Sequence, residues 1–502
     1  MSQDPMKLVD AVDVYLDEGP GAPLLVGHLR ASFRGGSRLL GGSSFEYTAE
    51  YVASPAAYAI SPELPLVAGK QFSGEDAALF GAFSDATPDD WGTGLIDAAF
   101  TRERGRLSGE ASSRVSGRAQ PLTLGEFDHL VQQNDLTRMG ALRFTAPREK
   151  TLASVPGTDS REWLTAAEHT AANPNDAQRI AEAVGRFEEY EATDEDMEIL
   201  GYAGSSLGGA RPKATIQEAD GSLWLLKLPS TRDKRVDTEA WEATVLDLAT
   251  AAGLRVPRHR LIRLDEHKSS LLIERFDRRP AAHERVGYMS ALTAMRLGPQ
   301  RSATYENFAD TIDQVTLAAS AEDLREMFGR VALTVLVGNV DDHWKNHGFT
   351  REDSAWRLSP LFDVNPTRAG SRVRSRQIND QDDPSNRDVR VLIEGRDAYR
   401  LTPRAAAEVL SRITRAVSTW RETAAKHNIS AAEIEHMASA FNEDQFEHAV
   451  QFVAEHAVTP VLSAPPAPAN PRLTERKRRF PELFAKDERS AATTEPSPEP
   501  DR

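Results

Sequence analysis

Gly338-Asn339-Val340-Asp341-Asp342-His343-Trp344-Lys345-Asn346 is the stretch on which the reading of this chain turns. It follows an apolar stripe at Leu324, Met327, Phe328, Val331 and Val335, which falls at helical spacing. Gly338 is placed to end that helix. Asp341 has the five-residue offset to Asn346 that Asp342 lacks, so Asp341 is the preferred acid. The pair sets a carboxylate that can take a hydroxyl proton beside an amide oxygen that can hold a divalent cation. Seventeen positions past Asn346 comes a second acid, Asp363, in Leu361-Phe362-Asp363-Val364. A carboxylate expected there at a strand end, held by apolar neighbours, suits a magnesium ion that bridges phosphates.

Two further parts lie upstream. Lys227 stands in Leu223-Trp224-Leu225-Leu226-Lys227-Leu228, where alternation puts it on the face of Leu223 and Leu225. Apolar flanks on both faces mark an interior strand, and an ammonium there needs an anionic partner. ATP phosphates would supply one. Glu242, or nearly as well Glu239, in the helix expected from Glu239 to Ala252, would supply another. The turn Gly204-Ser205-Ser206-Leu207-Gly208-Gly209-Ala210-Arg211-Pro212-Lys213 brings backbone N–H groups and the charge of Lys213 toward phosphate. It is not a Walker loop, because no Gly-Lys-Ser/Thr occurs at the required spacing. It precedes a hairpin signalled by Asp220-Gly221.

Phosphate cradle, phosphate lysine, catalytic acid with amide, and metal carboxylate run in the chain order of a kinase. Glu274-Arg275-Phe276, straight after the apolar Leu271-Leu272-Ile273, is the expected interlobe hinge, its backbone facing adenine. His343 is expected to orient the loop or a phosphate, and His347 to be structural. Trp344 stands where the helical zinc motif requires Glu, and no other metal-ligand spacing completes a set.

The expected fold class is α+β: a bilobal protein-kinase-like fold, with a strand-rich N-lobe and a helical C-lobe, preceded by an N-terminal α+β domain. The domains are read as 1–150, 151–284 (N-lobe with leading helices and the glycine-rich loop), 285–457 (C-lobe) and a Pro-rich tail at 458–502 expected to be disordered. Phe45-Glu46-Tyr47 and Tyr51-Val52-Ala53 have strand-like composition. Glu162-Trp163-Leu164 and Ile180 to Val184 read as helical pieces. The absence of cysteine excludes disulfides and thiolate chemistry. A net charge of −16 disfavours direct, non-specific nucleic-acid binding. Arg368, Arg372, Arg374 and Arg376 form one local basic cluster, and Arg476 to Arg479 another. No apolar run reaches the roughly 18 residues of a membrane span. Met1 to Asp10 lack a signal-like apolar core, so the expected location is cytoplasmic.

These pieces together resemble the HipA-type serine/threonine kinases, the toxins of bacterial toxin–antitoxin pairs. The matching residues are Ser206 to Lys213, Leu226 to Pro229, Glu274 to Arg278, Gly338 to Asn346 and Phe362-Asp363-Val364, joined by Ser44 to Tyr47 and Pro88-Asp89-Asp90-Trp91-Gly92. The resemblance implies that Asp341 is the catalytic acid, aided by His343, and that Asn346 and Asp363 hold Mg2+. It implies that Ser206, Gly209, Ala210, Lys213, Lys227, Glu274 and Phe276 surround ATP, and that Ser206 is autophosphorylated as an off-switch. It further implies a protein substrate such as an aminoacyl-tRNA synthetase, and neutralisation by a small helix-turn-helix antitoxin that alone contacts DNA. Arg211 stands where the family carries glutamine, and Pro212 stiffens the turn. The rival readings are a small-molecule kinase and a nucleotide-binding pseudokinase within a DNA-bound repressor complex.

Overall fold

The computed structural model describes residues 8–456, except 20, 36, 75, 112–122, 148–161, 166–171, 204–208, 234, 280–283, 299–301, 370–375 and 385–386. Ser206, Arg372, Arg374 and everything from 458 onward therefore lie outside the described residues.

The N-terminal part is built on strands β1 (Ala11–Leu16), β2 (Leu24–Phe33), β3 (Leu40–Tyr47), β4 (Lys70–Phe72) and β5 (Leu142–Thr145). They form one antiparallel sheet in the order β4-β3-β2-β1-β5. Inward residues such as Val14, Val26, Leu29 and Phe45 pack against α2 (Gly81–Ser84) and α4 (Glu126–Gln132). Tyr51 and Val52, whose composition suggests a strand, lie instead in the short helix α1 (Ala49–Val52). Thr48 caps it by accepting from Tyr51 N at 3.1 Å, and the Tyr51 ring stacks on Tyr47 at 5.6 Å. A cap and a packed ring here outweigh intrinsic strand preference. Between α2 and α4 runs the long helix α3 (Asp90–Ala111).

Trp163 is not helical either. It bridges Thr145 at the edge of the N-terminal sheet, Leu164 N donates to Phe144 O at 2.9 Å, and the Arg143 guanidinium lies 3.7 Å from the Trp163 ring centre. Ile180 to Val184 do lie in a helix, α5 (Ala177–Glu188), which packs against α6 (Asp194–Ala203).

The next sheet is the one that matters for chemistry. Strands β6 (Lys213–Gln217), β7 (Leu223–Lys227), β8 (His259–Arg263) and β9 (Ser269–Glu274) pair antiparallel in the order β6-β7-β9-β8. Asp220-Gly221 turns the first hairpin as expected. One face of the sheet buries Ala214, Ile216, Trp224, Leu226 and Leu272 against Ile180, Val184 and Leu200, and also against Trp91 and Leu95 of α3. The other face meets α7 (Thr238–Ala251), where Leu271 and Ile273 join the largest core of the chain.

That core belongs to the helical half. Strands β10 (Arg278–Arg279), β11 (Glu284–Arg285) and β12 (Gly287–Ser290) lead into α8 (Ala291–Ala294), α9 (Tyr305–Val315) and α10 (Ser320–Leu336). All five stripe residues of α10 are buried, as their spacing predicts. A hairpin of β13 (Gly348–Glu352) and β14 (Ala355–Leu358) pairs with β12. Helices α11 (Val389–Glu394), α12 (Pro403–Val417), α13 (Trp420–Lys426), α14 (Ala431–Met437) and α15 (Glu443–His456) complete it. No helix among the described residues is long and apolar enough to cross a membrane.

Candidate active site

Lys227 ends β7, with Lys213 opposite it on β6 and Leu271 on β9. Its ammonium is almost fully buried, and the anions that compensate it come from two distant elements. Lys227 Nζ donates to Glu242 Oε1 at 2.6 Å and Oε2 at 2.8 Å, and to Asp363 Oδ1 at 2.8 Å. Burial alone would lower the lysine's pKa. The charges of Asp363 and Glu242 outweigh burial and hold it protonated, above its usual range. For Glu242 burial wins and its carboxyl is pushed up. Burial pushes the Asp363 carboxyl up too, but Lys227, reinforced by Lys213 and His343, brings it below the usual range. Asp363 is thus the more firmly ionised of the two acids. It does not sit at a strand end: its backbone is irregular, with φ at +57°. That left-handed turn is how the chain aims the carboxylate back at β7 while Val364 stays buried in the core.

The acid loop is anchored from behind. Gly338 has φ +64°, and a side chain there would meet Ala440 O at 2.4 Å, so only glycine makes this exit from α10. Arg387 donates to Asn339 O at 2.6 Å and Thr334 O at 3.3 Å. Asp342 is buried, takes a hydrogen bond from the Tyr305 hydroxyl and has His347 Nε2 2.9 Å from its Oδ1. Trp344 packs on the rings of Tyr305 and Phe308. Asp341, its neighbour, is exposed. The two adjacent acids therefore differ in place: Asp342 is buried behind the loop and Asp341 faces solvent. Asn346 Nδ2 donates to Asp341 O at 3.1 Å, which fixes the amide plane. Its Oδ1 is buried and takes no hydrogen bond, and His343 Nδ1 is likewise buried without a partner. Tyr305 and Arg387 were not singled out from sequence, because neither belongs to a local motif.

The glycine-rich turn is described from Gly209 onward. Lys213 Nζ donates to the Asp89 carboxylate and, at 3.0 Å, to Gly209 O, while Trp91 Nε1 donates to Lys213 O at 3.0 Å. Lys213 is thus a tie between the turn and the N-terminal segment, and it bears on Asp363 through its charge. Asp89 and Trp91 belong to the Pro88-to-Gly92 motif, which was legible as a motif but not as part of this site. Arg211 pairs with Asp233 and Glu239. Glu242, not Glu239, is therefore the partner of Lys227.

At the candidate hinge, the Phe276 ring lies 5.4 Å from Phe362 and 6.1 Å from Tyr288, which brings the exit of β9 against the Asp363 segment. The Glu274 side chain points away from this cluster. It shares the Trp224 face of the sheet and pairs with Arg258. The N–H groups of Glu274 and Arg275 are committed to Arg258 O and Leu223 O. Arg376 reaches the Trp344 ring at 5.8 Å and Arg368 is exposed.

No group of three or more His, Asp or Glu side chains able to hold a metal occurs among the described residues. That excludes a protein-only zinc cage there. It leaves room for a magnesium ion held by one carboxylate and one amide oxygen, with phosphate oxygens completing the shell. Asp363 and the unpaired Oδ1 of Asn346 fit that requirement.

The fold and this cluster define a bilobal, protein-kinase-like α+β chain. Residues 205–421 match the model of the HipA-like C-terminal domain family. A Sinorhizobium fredii (strain NBRC 101917 / NGR234) protein named Putative kinase Y4dM is 26% identical over 206 residues, which cover 38% of this chain and 49% of that protein. The chain thus spans about half the length of the curated relative it matches. HipA of the Shewanella oneidensis MR-1 toxin–antitoxin system, solved with HipB and operator DNA, shares the fold at a TM-score of 0.58 and 17% identity, covering 90% of this chain and 100% of that one. The Helicobacter pylori proinflammatory kinase CtkA aligns more loosely, with a TM-score of 0.34 and 13% identity over 49% of this chain and 95% of that one.

Proposed function

We propose that this chain is an ATP- and magnesium-dependent protein serine/threonine kinase that acts as a toxin. The observation that carries the reading is the buried Lys227 bonded at once to Glu242 and Asp363, acids from the facing helix and from the segment after the acid loop. A lone buried lysine between two acids stores costly charge unless a ligand uses it.

In this reading Lys227 holds the phosphates of ATP, and Glu242 keeps the lysine aimed. Asp341 is exposed to the substrate, orients its hydroxyl and accepts the proton as the oxygen attacks the γ-phosphorus. ADP departs with the electrons of the broken P–O bond. Asp363 and Asn346 Oδ1 would hold magnesium, which supplies neutralisation of the charge building on the phosphate oxygens. His343, whose charge also acts on Asp363, orients the loop that carries Asp341. Phe276 lines the adenine side. Lys213 sets the shape of the glycine turn, and Ser206, Gly209 and Ala210 border the phosphates.

The substrate is a translation component such as an aminoacyl-tRNA synthetase, and Ser206 is the site of self-phosphorylation. A phosphate there adds about −1.5 to −2 charge beside the phosphate site and opposes ATP. The partner is a small helix-turn-helix antitoxin, with DNA reached only through it, and the work takes place in the cytoplasm. The likeness in fold to a HipA solved with HipB and operator DNA supports this context.

Purified chain with γ-labelled ATP and magnesium should label itself at Ser206. Asp341→Asn should cut the transfer by about 10²–10⁴-fold while ATP affinity changes little. Labelling that survives Asp341→Asn at the wild-type rate rejects the assignment.

A further inference from the structure

Arg211 lies just before β6, in the described part of the glycine-rich turn. Its Nη1 donates to Asp233 Oδ1 at 3.1 Å, and its Nη2 donates to Asp233 Oδ2 at 2.5 Å and to Glu239 Oε1 at 2.7 Å. One planar fork therefore joins the turn to two acids on two different elements. Asp233 closes its own turn by accepting from Ser230 N at 3.0 Å, so that end of the tie is rigid.

The other end is unusual. Glu239 lies in the first turn of α7 and is 2% exposed, and its Oε2 takes no hydrogen bond. Burial pushes its carboxyl up to about 7, with Arg211 only partly offsetting that. A half-satisfied buried acid costs stability, and a tie needed only for folding would be better served by an apolar contact. Glu239 stands three residues before Glu242, so both project from the same buried face of α7. The charge of Arg211 also acts on Glu242. Ion pairs thus run from the glycine turn through Arg211 to Glu239, and one turn of α7 carries the connection on to Glu242, which holds Lys227.

We propose that Arg211 is a positioning residue that couples the glycine-rich turn to the Lys227–Glu242 pair through the first turn of α7. The turn and the lysine are then set for the nucleotide together. This rests on the nucleotide-site reading above.

The test uses the full chain with magnesium and ATP. It measures ATP affinity with a fluorescent ATP analogue, KM and kcat for ATP turnover, and the thermal midpoint. Arg211→Gln should raise the ATP KM about tenfold and lower kcat by less than about threefold. Arg211→Lys keeps the charge but not the fork, and should recover only part of the loss. Glu239→Gln should weaken ATP binding severalfold while the thermal midpoint holds or rises, a split that a purely structural tie does not produce. The double variant should bind no more weakly than Arg211→Gln alone. If both single variants bind ATP normally and only the midpoint falls, or if their effects on affinity simply add, the coupling is overturned. A wild-type chain that binds no ATP overturns the nucleotide-site reading itself and Arg211's role with it, a result separate from the others.

Discussion

Two buried charge clusters flank β9, one beside its start and one just past its end. At the far end Arg275 donates to Thr137 O, Arg138 O and both oxygens of Asp277. Asp277 also accepts from Gly140 N at 2.8 Å and Arg278 Nη1 at 2.6 Å, and its carboxyl is held far below the usual range: burial opposes this, but Arg275 and Arg278 overwhelm it. This cluster welds the exit of β9 to the N-terminal part, its two arginines donating to Asp277 and to backbone carbonyls of Leu136, Thr137 and Arg138. At the near end Lys227 and Glu242 are buried, but the Asp363 side chain is 23% exposed, and unpaired Nδ1 and Oδ1 atoms stand on the acid loop at His343 and Asn346. Buried charge by itself does not mark a site. The two clusters differ in access: the Arg275 and Asp277 side chains are 0% and 1% exposed, whereas Asp363 opens to solvent.

That contrast can be broken most directly at Lys227. Lys227→Met leaves two acids facing each other without a cation. It should abolish γ-phosphate transfer by at least about 10²-fold and cost about 3–5 kcal/mol of stability in denaturant unfolding. Turnover close to wild type would remove the functional half of the comparison. Asp277→Asn probes the other half. It strands Arg275 and Arg278 and should cost about 3 kcal/mol, while kcat per folded molecule stays within about twofold of wild type. Lost turnover with unchanged stability would show that the two clusters are not different in kind.

A smaller effect sharpens the picture through pH. Glu239 is raised to about 7 from an ordinary value of 4.5. Across that window the folded chain binds more protons than the unfolded one, so the stability it contributes falls as pH rises and levels off above about 7. Glu239→Gln should therefore raise the thermal midpoint by about 1–2 °C at pH 8, with the gain fading toward pH 5. Asp363 and Asp277 run the opposite way. Their carboxyls are depressed, so they contribute stability that is present above the ordinary carboxylate range and is lost as pH falls through their folded values. A midpoint gain in Glu239→Gln that grows on acidification would contradict the burial argument.

Much of the site was legible because its parts are local. The offset of Asp341 from Asn346, the apolar flanks of Lys227 and the apolar stripe of α10 each lie within one element, and periodicity or spacing exposes them. The expectations that missed were short ones. Tyr51-Val52 and Trp163-Leu164 are too brief for their composition to outweigh a cap, a stacked ring or a sheet edge. The irregular backbone at Asp363 was hidden because a positive φ in a non-glycine residue leaves no mark in composition.

The amino-acid sequence alone determined the order of the parts and the hairpin and helix that carry Lys227 and Glu242, and its spacing is what favours Asp341 over Asp342 in the proposed role. These follow from spacing within a few residues, where backbone geometry leaves few alternatives. Only the tertiary structure decided that Lys227 takes Glu242 and leaves Glu239 to Arg211, that Asp342 is the loop's anchor, and that Asp89 holds Lys213. Lys227 and Asp363 are 136 positions apart, and Lys213 and Asp89 are 124. Which of several nearby acids meets a given cation over such distances depends on how the layers pack, and that is settled by apolar cores that contain none of these charges.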